Sequence, residues 1–333
     1  MTYSIVIPAY NEGVRLRPTL HALIRHIQEQ NWDAEILVVN DGSTDNTADV
    51  VARYSGVRLI TQSNAGPAAA RNRGAQEARG MIILFTDDDC VPKPEWLAAM
   101  TAPFSDPSVV GAKGIYRTRQ RSLAARFVQI EYEDKYRRMA SLPKIDFIDT
   151  YSAGFRRDRF LEMNGYDTSF PVACAEDVEL SYRMSTRGWT MRFVPAAIVY
   201  HTHPSTLWSY LSKKYKFAFW RVLAVRKNPN KAMKDSHTPQ LMKLQLLFAP
   251  ALLLAIFGDL LVRPKLPASL LVCAAFLLST LPFAWRALPK DPIVGLLSPL
   301  LLAARACAQL LGVAAGLIYV LRKPAESATA SHA

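Results

Sequence analysis

Two short segments of the sequence concentrate carboxylates of the kind that metal binding and proton transfer require. Asp87-Asp88-Asp89 follows the apolar run Met81–Phe85 after a single residue, Thr86. Three adjacent carboxylates repel one another unless a cation is present, and Mg²⁺ or Mn²⁺ prefers such oxygen ligands. Glu176-Asp177 stands just ahead of a predicted helix, where a carboxylate can take a proton from a reacting hydroxyl. A solvated turn and a helix cap are the respective structural alternatives.

The surrounding pattern predicts an α/β domain with a parallel or mostly parallel sheet. Short β-branched runs alternate with longer helical stretches from Tyr3 to about His203. Three of these runs are predicted strands: Ser4–Pro8, Glu35–Asn40 and Met81–Thr86. Ligands of open α/β sheets bind beyond the carboxyl ends of the strands. The polar segments that follow the strands are therefore expected to converge: Tyr10–Glu12, Asp41–Asp45 and Asp87–Asp89.

A family resemblance rests on motifs that occur in a fixed order. They are Ser4–Glu12, Val39–Asp45, Asn64–Gly74, Phe85–Asp89, Ser152–Arg157, Gly165-Tyr166-Asp167 and Ala175-Glu176-Asp177. In this order and spacing the sequence closely resembles the family 2 glycosyltransferases, which are inverting nucleotide-sugar enzymes of the Rossmann-like GT-A fold. The resemblance covers residues 3 to about 203. The sequence contains neither of the phosphate motifs GxxxxGK[ST] and GxGxxG.

The resemblance implies a site for a nucleotide-sugar. The residues that it assigns to the donor are Pro8, Ala9, Tyr10, Glu12, Asp41, Arg71, Asp87 and Asp88. Asp41 would hydrogen-bond the base, and a carboxylate suits the imide N–H of uracil, which favours a UDP-sugar. Arg71 would contact the diphosphate. Asp87 and Asp89 would face the ribose and the metal, with Asp89 the better candidate for direct coordination, whereas Asp88 points elsewhere because neighbours alternate along a strand.

The same resemblance implies that Asp177 is the catalytic base and Glu176 its acidic partner. An inverting displacement needs one base for the acceptor hydroxyl and one metal ion, Mg²⁺ or Mn²⁺, to neutralise the leaving diphosphate. His201 follows the strand-like run Met191–Val199 and is a candidate metal ligand together with Asp87 and Asp89. An interfacial pair formed by His201 and His203 is the alternative.

The net charge of +12 lies entirely in the C-terminal part of the chain. Residues 1–203 carry 24 basic and 24 acidic side chains, whereas residues 204–333 carry 16 basic and 4 acidic ones. A chain that is half hydrophobic is expected to be ordered. Between 204 and 243 the basic residues are mixed with aromatic ones, which favours a membrane-surface helix over a solvated face. No nucleic-acid recognition motif accompanies this charge, and lipid phosphates are the expected anions.

Long apolar runs follow the basic segment. Leu244–Val262 and Leu266–Ala284 are long enough to cross a bilayer core, and a buried helix pair in a soluble domain is the alternative. A third run, Ile293–Leu321, is interrupted by Arg305, which leaves two or three crossings open. Because basic residues mark the cytoplasmic side, we expect a multi-pass protein of the cell membrane with the catalytic domain on the cytosolic face.

Four cysteines without a CxxC pair favour a reducing compartment. The first residues do not have the pattern of a signal peptide, so we expect that the first domain is not exported.

Four regions are predicted: a GT-A catalytic domain at 1–203, a basic aromatic segment at 204–243, two or three transmembrane helices at 244–321 and a polar tail at 322–333.

The expected function is metal-dependent transfer of a single sugar from a nucleotide donor to a lipid-linked or polysaccharide-precursor acceptor. Processive synthases of the family carry a QxxRW motif, and the nearest segment here, Phe217–Arg221, lacks both the glutamine and the order. Two alternatives stay open. A catalytically silent scaffold subunit would bind the sugar nucleotide without turnover, and a nucleotidyltransferase would release pyrophosphate.

Overall fold

The computed structural model describes residues 2–170, 174–231, 235–236 and 238–322. The chain divides into two compact units, of which the first is Met1–Ser205 with Lys231–Thr238 and the second is Thr206–Asn230 with Pro239–Ala333. The predicted region boundaries stay predictions. Apart from Arg322, the predicted polar tail lies outside the described residues.

Within the described ranges, the first unit is built on one mixed sheet of eight strands. The strands are β1 Tyr3–Ala9, β2 Ala34–Asp41, β3 Val57–Gln62, β4 Ile82–Phe85, β5 Val91–Pro92, β6 Val109–Arg117, β7 Ala153–Arg156 and β8 Thr190–Tyr200. Their order across the sheet is β3-β2-β1-β4-β7-β6-β8-β5. β1 pairs in parallel with β2 and β4, and β6 pairs in parallel with β8. β7 runs antiparallel between β4 and β6.

The helices of the first unit cover the sheet. They are α1 Leu16–Glu29, α2 Thr47–Ala52, α3 Pro67–Glu77, α4 Trp96–Thr101, α5 Leu123–Ala140, α6 Arg157–Glu162 and α7 Glu176–Thr186. Ile5, Val6 and Ile7 of β1 are fully buried, as expected for a central strand with both faces covered. Gly74 of α3 lies so close to this strand that a Cβ atom would stand 2.3 Å from Val6 Cγ1. Small residues thus let α3 approach the sheet.

The topology brings the predicted site segments to one edge of the sheet. β1 and β2 are in parallel register up to Ala9 opposite Asn40, and β1 and β4 up to Val6 opposite Phe85. The loops after these three strands therefore leave the sheet on the same side. The predicted mostly parallel α/β architecture is confirmed, and the antiparallel β7 is the feature that the sequence pattern did not indicate.

The second unit contains α8 Leu207–Lys227, α9 Gln240–Val262, α10 Ala268–Ala287 and α11 Pro292–Arg322. Three helices in the described part of the chain, α9, α10 and α11, are long and apolar enough to cross a membrane. Many of their leucines are exposed, among them Leu254 at 73% and Leu260 at 70%. Exposed leucines in such number are expected where lipid covers a helix.

The third apolar run forms one continuous helix across Arg305. The Arg305 side chain is buried and donates to Gln245 Oε1, and Gln245 Nε2 donates to Ser279 Oγ at 3.1 Å. The charged residue therefore faces polar groups of the two neighbouring helices instead of lipid.

α8 packs against α11 through two glycines one helical turn apart. A Cβ atom at Gly312 would lie 2.3 Å from the carbonyl oxygen of Tyr215, and one at Gly316 would lie 2.6 Å from that of Phe219. Such small residues are the usual means by which membrane helices bring their backbones together.

Candidate active site

The loops after β1 and β2 are joined by hydrogen bonds of side chains to backbone. Asn11 Oδ1 accepts from the backbone N–H of Thr44 at 2.8 Å and that of Asp45 at 3.3 Å, and Asn11 N donates to Ser43 Oγ at 3.0 Å. Asn11 adopts a left-handed conformation with φ of 56°, which asparagine tolerates better than most residues. The two loops therefore form one wall at the edge of the sheet.

The predicted donor residues of the first segment lie along this wall with different exposures. Pro8 and Ala9 are buried at the end of β1, whereas Tyr10 is 49% exposed. Glu12 accepts from Arg15 Nη1 at 2.8 Å. The ring of Tyr10 is thus the part of this segment that is open for a ligand to cover.

Asp41 lies at the end of β2 and is almost completely buried. Its Oδ1 accepts from Gln62 Nε2 at 2.7 Å and from the backbone N–H of Ala65 at 2.9 Å, while its Oδ2 accepts from the N–H of Gly66 at 2.8 Å. The carboxylate therefore fixes the loop that leads into α3. A carboxylate offers about four acceptor positions, so these three bonds leave room for one further donor.

Arg71 on α3 connects the two acidic segments. Its Nη2 donates to Asp87 Oδ1 at 2.8 Å and its Nη1 donates to Glu176 Oε1 at 3.3 Å. The Arg71 side chain is only 3% exposed, and that of Glu176 only 2%. Burial opposes the charged guanidinium, but the carboxylates of Asp87 and Glu176 outweigh it and raise the pKa of Arg71. The expected diphosphate contact thus lies between two carboxylates.

Glu176 and Asp177 begin α7. Glu176 Oε2 accepts from the backbone N–H groups of Cys174 and Ala175 at 2.9 and 3.1 Å, and burial raises the pKa of Glu176. Asp177 Oδ1 accepts from the N–H of Val178 at 2.7 Å. Burial, followed by the neighbouring carboxylates of Glu176 and Asp149, raises the pKa of Asp177 well above its usual range. A carboxylate in such surroundings binds a proton readily, as a base for a hydroxyl must.

The three residues of the acidic triplet after β4 have different partners. Asp87 pairs with Arg71, while the backbone carbonyl of Asp88 accepts from Thr19 Oγ1 at 3.0 Å. Burial raises the pKa of Asp88 well above its usual range, and the carboxylates of Asp87 and Asp89 add to this effect.

Asp89 faces His201, and the pair is the best candidate for a metal site. Asp89 Oδ1 lies 3.0 Å from His201 Nδ1. With Cys90 Sγ, these atoms form a group whose members all lie within 4.8 Å of one another. A carboxylate oxygen and an imidazole nitrogen suit Mn²⁺. Asp87, which the sequence pattern also assigned to the metal, is not a member of this group.

His203 is not a member of the candidate metal group, although its ring contacts that of His201 edge to face with centroids 5.8 Å apart. Its Nε2 lies 3.2 Å from Gln129 Oε1, and its ring stacks on Tyr132. His201 stacks on Tyr116 with ring centroids 4.7 Å apart. Both histidines of the motif therefore contact Tyr116, while His203 also stacks on Tyr132.

Sequence reasoning missed Cys90, Lys113 and Asp149. Cys90 follows the triplet directly, but a lone buried cysteine is most often a core residue. Lys113 could have been found from the sequence, because it is a charged residue in the middle of the strand β6, whose other charged residue, Arg117, is the last of the strand. It forms a buried ion pair with Asp149.

A mixed α/β sheet with acidic groups beyond the carboxyl ends of its parallel strands, joined through Arg71 to a second acidic pair, has the GT-A-like architecture. The model of the family "Glycosyl transferase family 2" matches residues 4–162. The match covers slightly less than half of the chain and lies within the first unit.

Two curated relatives illustrate the similarity. "Probable glycosyltransferase YdaM" of Bacillus subtilis is 30% identical over 224 residues, which are 61% of this chain and 51% of that protein. "Dolichyl-phosphate beta-glucosyltransferase ALG5C" of Trichomonas vaginalis is 39% identical over 102 residues, which are 27% of this chain and 30% of that protein. The chain thus spans about half the length of the first of these relatives and less of the second.

Among solved structures, the mannosyltransferase PcManGT from Pyrobaculum calidifontis, in complex with GDP-Man and Mn²⁺, is similar with a TM-score of 0.64. The similarity covers 95% of this chain and 86% of that chain at 18% sequence identity. At this identity the similarity establishes the fold.

Proposed function

We propose that this protein is a membrane-anchored, metal-dependent, inverting glycosyltransferase that moves one sugar from a nucleotide donor to a lipid-linked or polysaccharide-precursor acceptor. The observation that carries the proposal is the arrangement around Arg71. This buried cation joins Asp87 on the donor side to Glu176, the neighbour of the base Asp177. A donor site and an acceptor base are thereby held at a fixed separation.

Asp89 and His201 are the proposed metal ligands, with Asp87 as a further carboxylate nearby in sequence. Their atoms fit a divalent ion because a carboxylate oxygen and an imidazole nitrogen already lie 3.0 Å apart. A bound Mg²⁺ or Mn²⁺ would neutralise the charge that develops on the leaving nucleoside diphosphate. The comparison supports Mn²⁺ as the first ion to test, since the similar mannosyltransferase was solved with it.

Asp177 is the proposed base. Inversion by a single displacement needs one group that removes the proton of the acceptor hydroxyl as it attacks the anomeric carbon. Glu176 is the less suitable candidate, because its two oxygens already accept from Arg71 and from two backbone N–H groups. Its proposed role is to fix Arg71 and the start of α7.

The donor is proposed to be a UDP-sugar. Asp41 retains one acceptor position, which suits the imide N–H of uracil, and the exposed ring of Tyr10 can cover the base. A GDP-sugar is the main competitor, because the similar mannosyltransferase was solved with GDP-Man. Which nucleobase the donor carries therefore has to be measured.

The acceptor is proposed to be a lipid-linked glycan or a lipid phosphate. Three apolar helices in the described part of the chain are able to cross a membrane, and the name of one relative indicates a dolichyl-phosphate acceptor. Basic residues on α8 favour the cytosolic leaflet for the catalytic unit. The basic side chains of α8 are Lys213, Lys214, Lys216, Arg221, Arg226 and Lys227.

A thermal-shift panel tests the donor and the metal together. The full chain in detergent is heated with UDP, GDP, UDP-glucose or GDP-mannose, each with and without Mn²⁺, because ligands of the folded state raise its stability. We expect a rise with a uridine ligand and Mn²⁺ that is lost in the variant Asp89→Asn/His201→Ala. Asp158→Asn is the matched control, because this side chain is 71% exposed.

A transfer assay tests the reaction itself. A selected donor is incubated with Mn²⁺ and a polyprenyl phosphate, and the released nucleotide is identified. Release of nucleoside diphosphate with an inverted glycolipid supports the proposal. Release of pyrophosphate would identify a nucleotidyltransferase, and binding without turnover would identify a scaffold subunit.

A further inference from the structure

A buried ion pair lies behind the proposed base and takes no part in the reaction described above. Lys113 of β6 is 1% exposed and donates to Asp149 Oδ1 and, at 2.9 Å, to the hydroxyl oxygen of Tyr151. The hydroxyl groups of Tyr151 and Tyr136 lie 2.9 Å apart. A lysine ammonium and a carboxylate at this depth are costly, and hydrophobic residues of the same size would fill the space at least as well.

A serine fixes this pair to the helix that carries the base. Ser181 of α7 is fully buried, and its Oγ donates to the carbonyl oxygen of Asp177 at 2.6 Å. The same Oγ accepts from the backbone N–H of Ile148 at 2.9 Å. The residue before Asp149 is therefore bonded to Ser181, one helical turn after Asp177 on α7.

The charges of the pair reach Asp177. Burial raises the pKa of Asp177, and the Asp149 carboxylate raises it further. Burial lowers the pKa of Lys113, while Asp149 and Asp177 both act to raise it. The titratable and charged groups that act on Asp177 from the surrounding elements are Glu176, Asp149, Lys113, Arg71, Tyr132 and Tyr166.

We propose that the Lys113–Asp149 pair is a positioning element that controls the charge on Asp177 and so sets the pH range of sugar transfer. The inference rests on the proposed function, in which Asp177 is the base. Lys113 offsets the repulsion between the Asp149 and Asp177 carboxylates and thereby favours the ionised form of Asp177. The two members of the pair act on Asp177 with opposite sign.

Because Lys113 and Asp149 carry opposite charges, their removal should shift the pH dependence of kcat/KM in opposite directions. A purely structural role of the pair would not produce such opposite shifts. Lys113→Met removes a positive charge, so Asp177 holds its proton to higher pH and the acidic limb of kcat/KM moves upward by about one pH unit. Asp149→Asn removes a negative charge, and the limb moves downward. The double variant Lys113→Met/Asp149→Asn restores the limb to near that of the wild type.

The measurement is nucleoside diphosphate release by the full chain in detergent as a function of pH. UDP-glucose or GDP-mannose is used, as the thermal-shift panel selects, with Mn²⁺ and a polyprenyl phosphate. The Kd of the selected nucleotide with Mn²⁺ and the thermal midpoint are recorded for each variant to confirm folding. Lys144→Met and Asp158→Asn remove the same charges from exposed positions and are expected to leave the profile unchanged.

The inference is supported if the acidic limbs of the two single variants move in opposite directions along the pH axis. If both limbs move in the same direction, or if the rate falls without a shift of the limb, the inference is wrong while the proposed function stands. If Lys113→Met fails to fold, the inference is tested by Asp149→Asn alone, for which the acidic limb of kcat/KM must move to lower pH. Absence of turnover in the wild type would overturn the proposed function, and this inference with it.

Discussion

Replacing Arg71 by methionine tests whether this buried cation holds the candidate site together. The variant leaves Glu176, which is 2% exposed, without its guanidinium partner, and Asp87, which is 24% exposed, without its own. Removing one partner of a buried ion pair costs about 3–5 kcal/mol. Water can reach Asp87, so we expect the lower end, about 3 kcal/mol in the free energy of unfolding.

The assay is thermal unfolding of the full chain in detergent, followed by tryptophan fluorescence. For a unit of this size, about 3 kcal/mol corresponds to a fall in Tm of about 6–12 °C. Arg73→Met is the matched control on the same helix, because Arg73 is 52% exposed and pairs with Glu77 at the surface. Such a pair contributes about 0–1 kcal/mol.

A second variant separates lost charge compensation from lost packing. If the loss of stability comes from the uncompensated carboxylate of Glu176, the double variant Arg71→Met/Glu176→Gln is more stable than Arg71→Met alone. The reason is that the neutral amide of glutamine is less costly to bury. A fall in Tm no larger than that of Arg73→Met, or no recovery in the double variant, would refute the reasoning.

Three further predictions concern the base, the fold of the first unit and the helix pair. Asp177→Asn is expected to lower kcat about 10²–10⁴-fold while the Kd for nucleotide with Mn²⁺ stays unchanged, and a loss of binding instead would contradict its assignment as the base. Burial raises the pKa of Asp146, but bonds from Lys231 and Ser236 outweigh it and lower the pKa overall. The stabilisation by Asp146 is thus present at neutral pH and lost as pH falls through the lowered pKa. Denaturant unfolding should therefore show that Asp146→Asn costs about 1–2 kcal/mol at pH 7 and progressively less as the pH falls through that pKa. Gly312→Val should lower Tm, because a Cβ atom there meets Tyr215, whereas Gly258→Val, with nothing within 4 Å, should not. Equal effects of the two glycine variants would contradict the described packing.

The strands and helices that the sequence predicted are those with strong local signals. Ser4–Pro8 and Glu35–Asn40 are apolar runs with β-branched residues, and they lie within β1 and β2. β7 escaped prediction because Ala153–Arg156 is only four residues long and begins with Ala and Gly, so no periodicity distinguishes it from a loop. Its antiparallel direction depends on pairing with β4 and β6, which are distant in sequence.

The parts of the site that the sequence could not indicate are the pairings. Asp89 and His201 were each visible as candidate ligands, and the fold brings them to 3.0 Å across 112 positions. Arg71 was interpreted as a contact for the diphosphate, but nothing local shows that Asp87 and Glu176 bond it from both sides. Lys113 was overlooked because its partner, Asp149, is distant in sequence and no spacing pattern connects the two residues.

The charge balance of the site indicates that the metal ion and the donor bind cooperatively. Two buried cations are each shared with carboxylates of the protein, Arg71 with Asp87 and Glu176, and Lys113 with Asp149. A nucleotide-sugar brings two more negative charges toward Asp88 and Asp89, whose repulsion grows as water is excluded. A divalent ion at Asp89 and His201 would remove this repulsion, so the donor should bind weakly without the metal and the metal weakly without the donor. Nucleotide and Mn²⁺ should therefore raise Tm together by more than the sum of their separate effects, and simple additivity would show that the protein supplies the compensating charge itself.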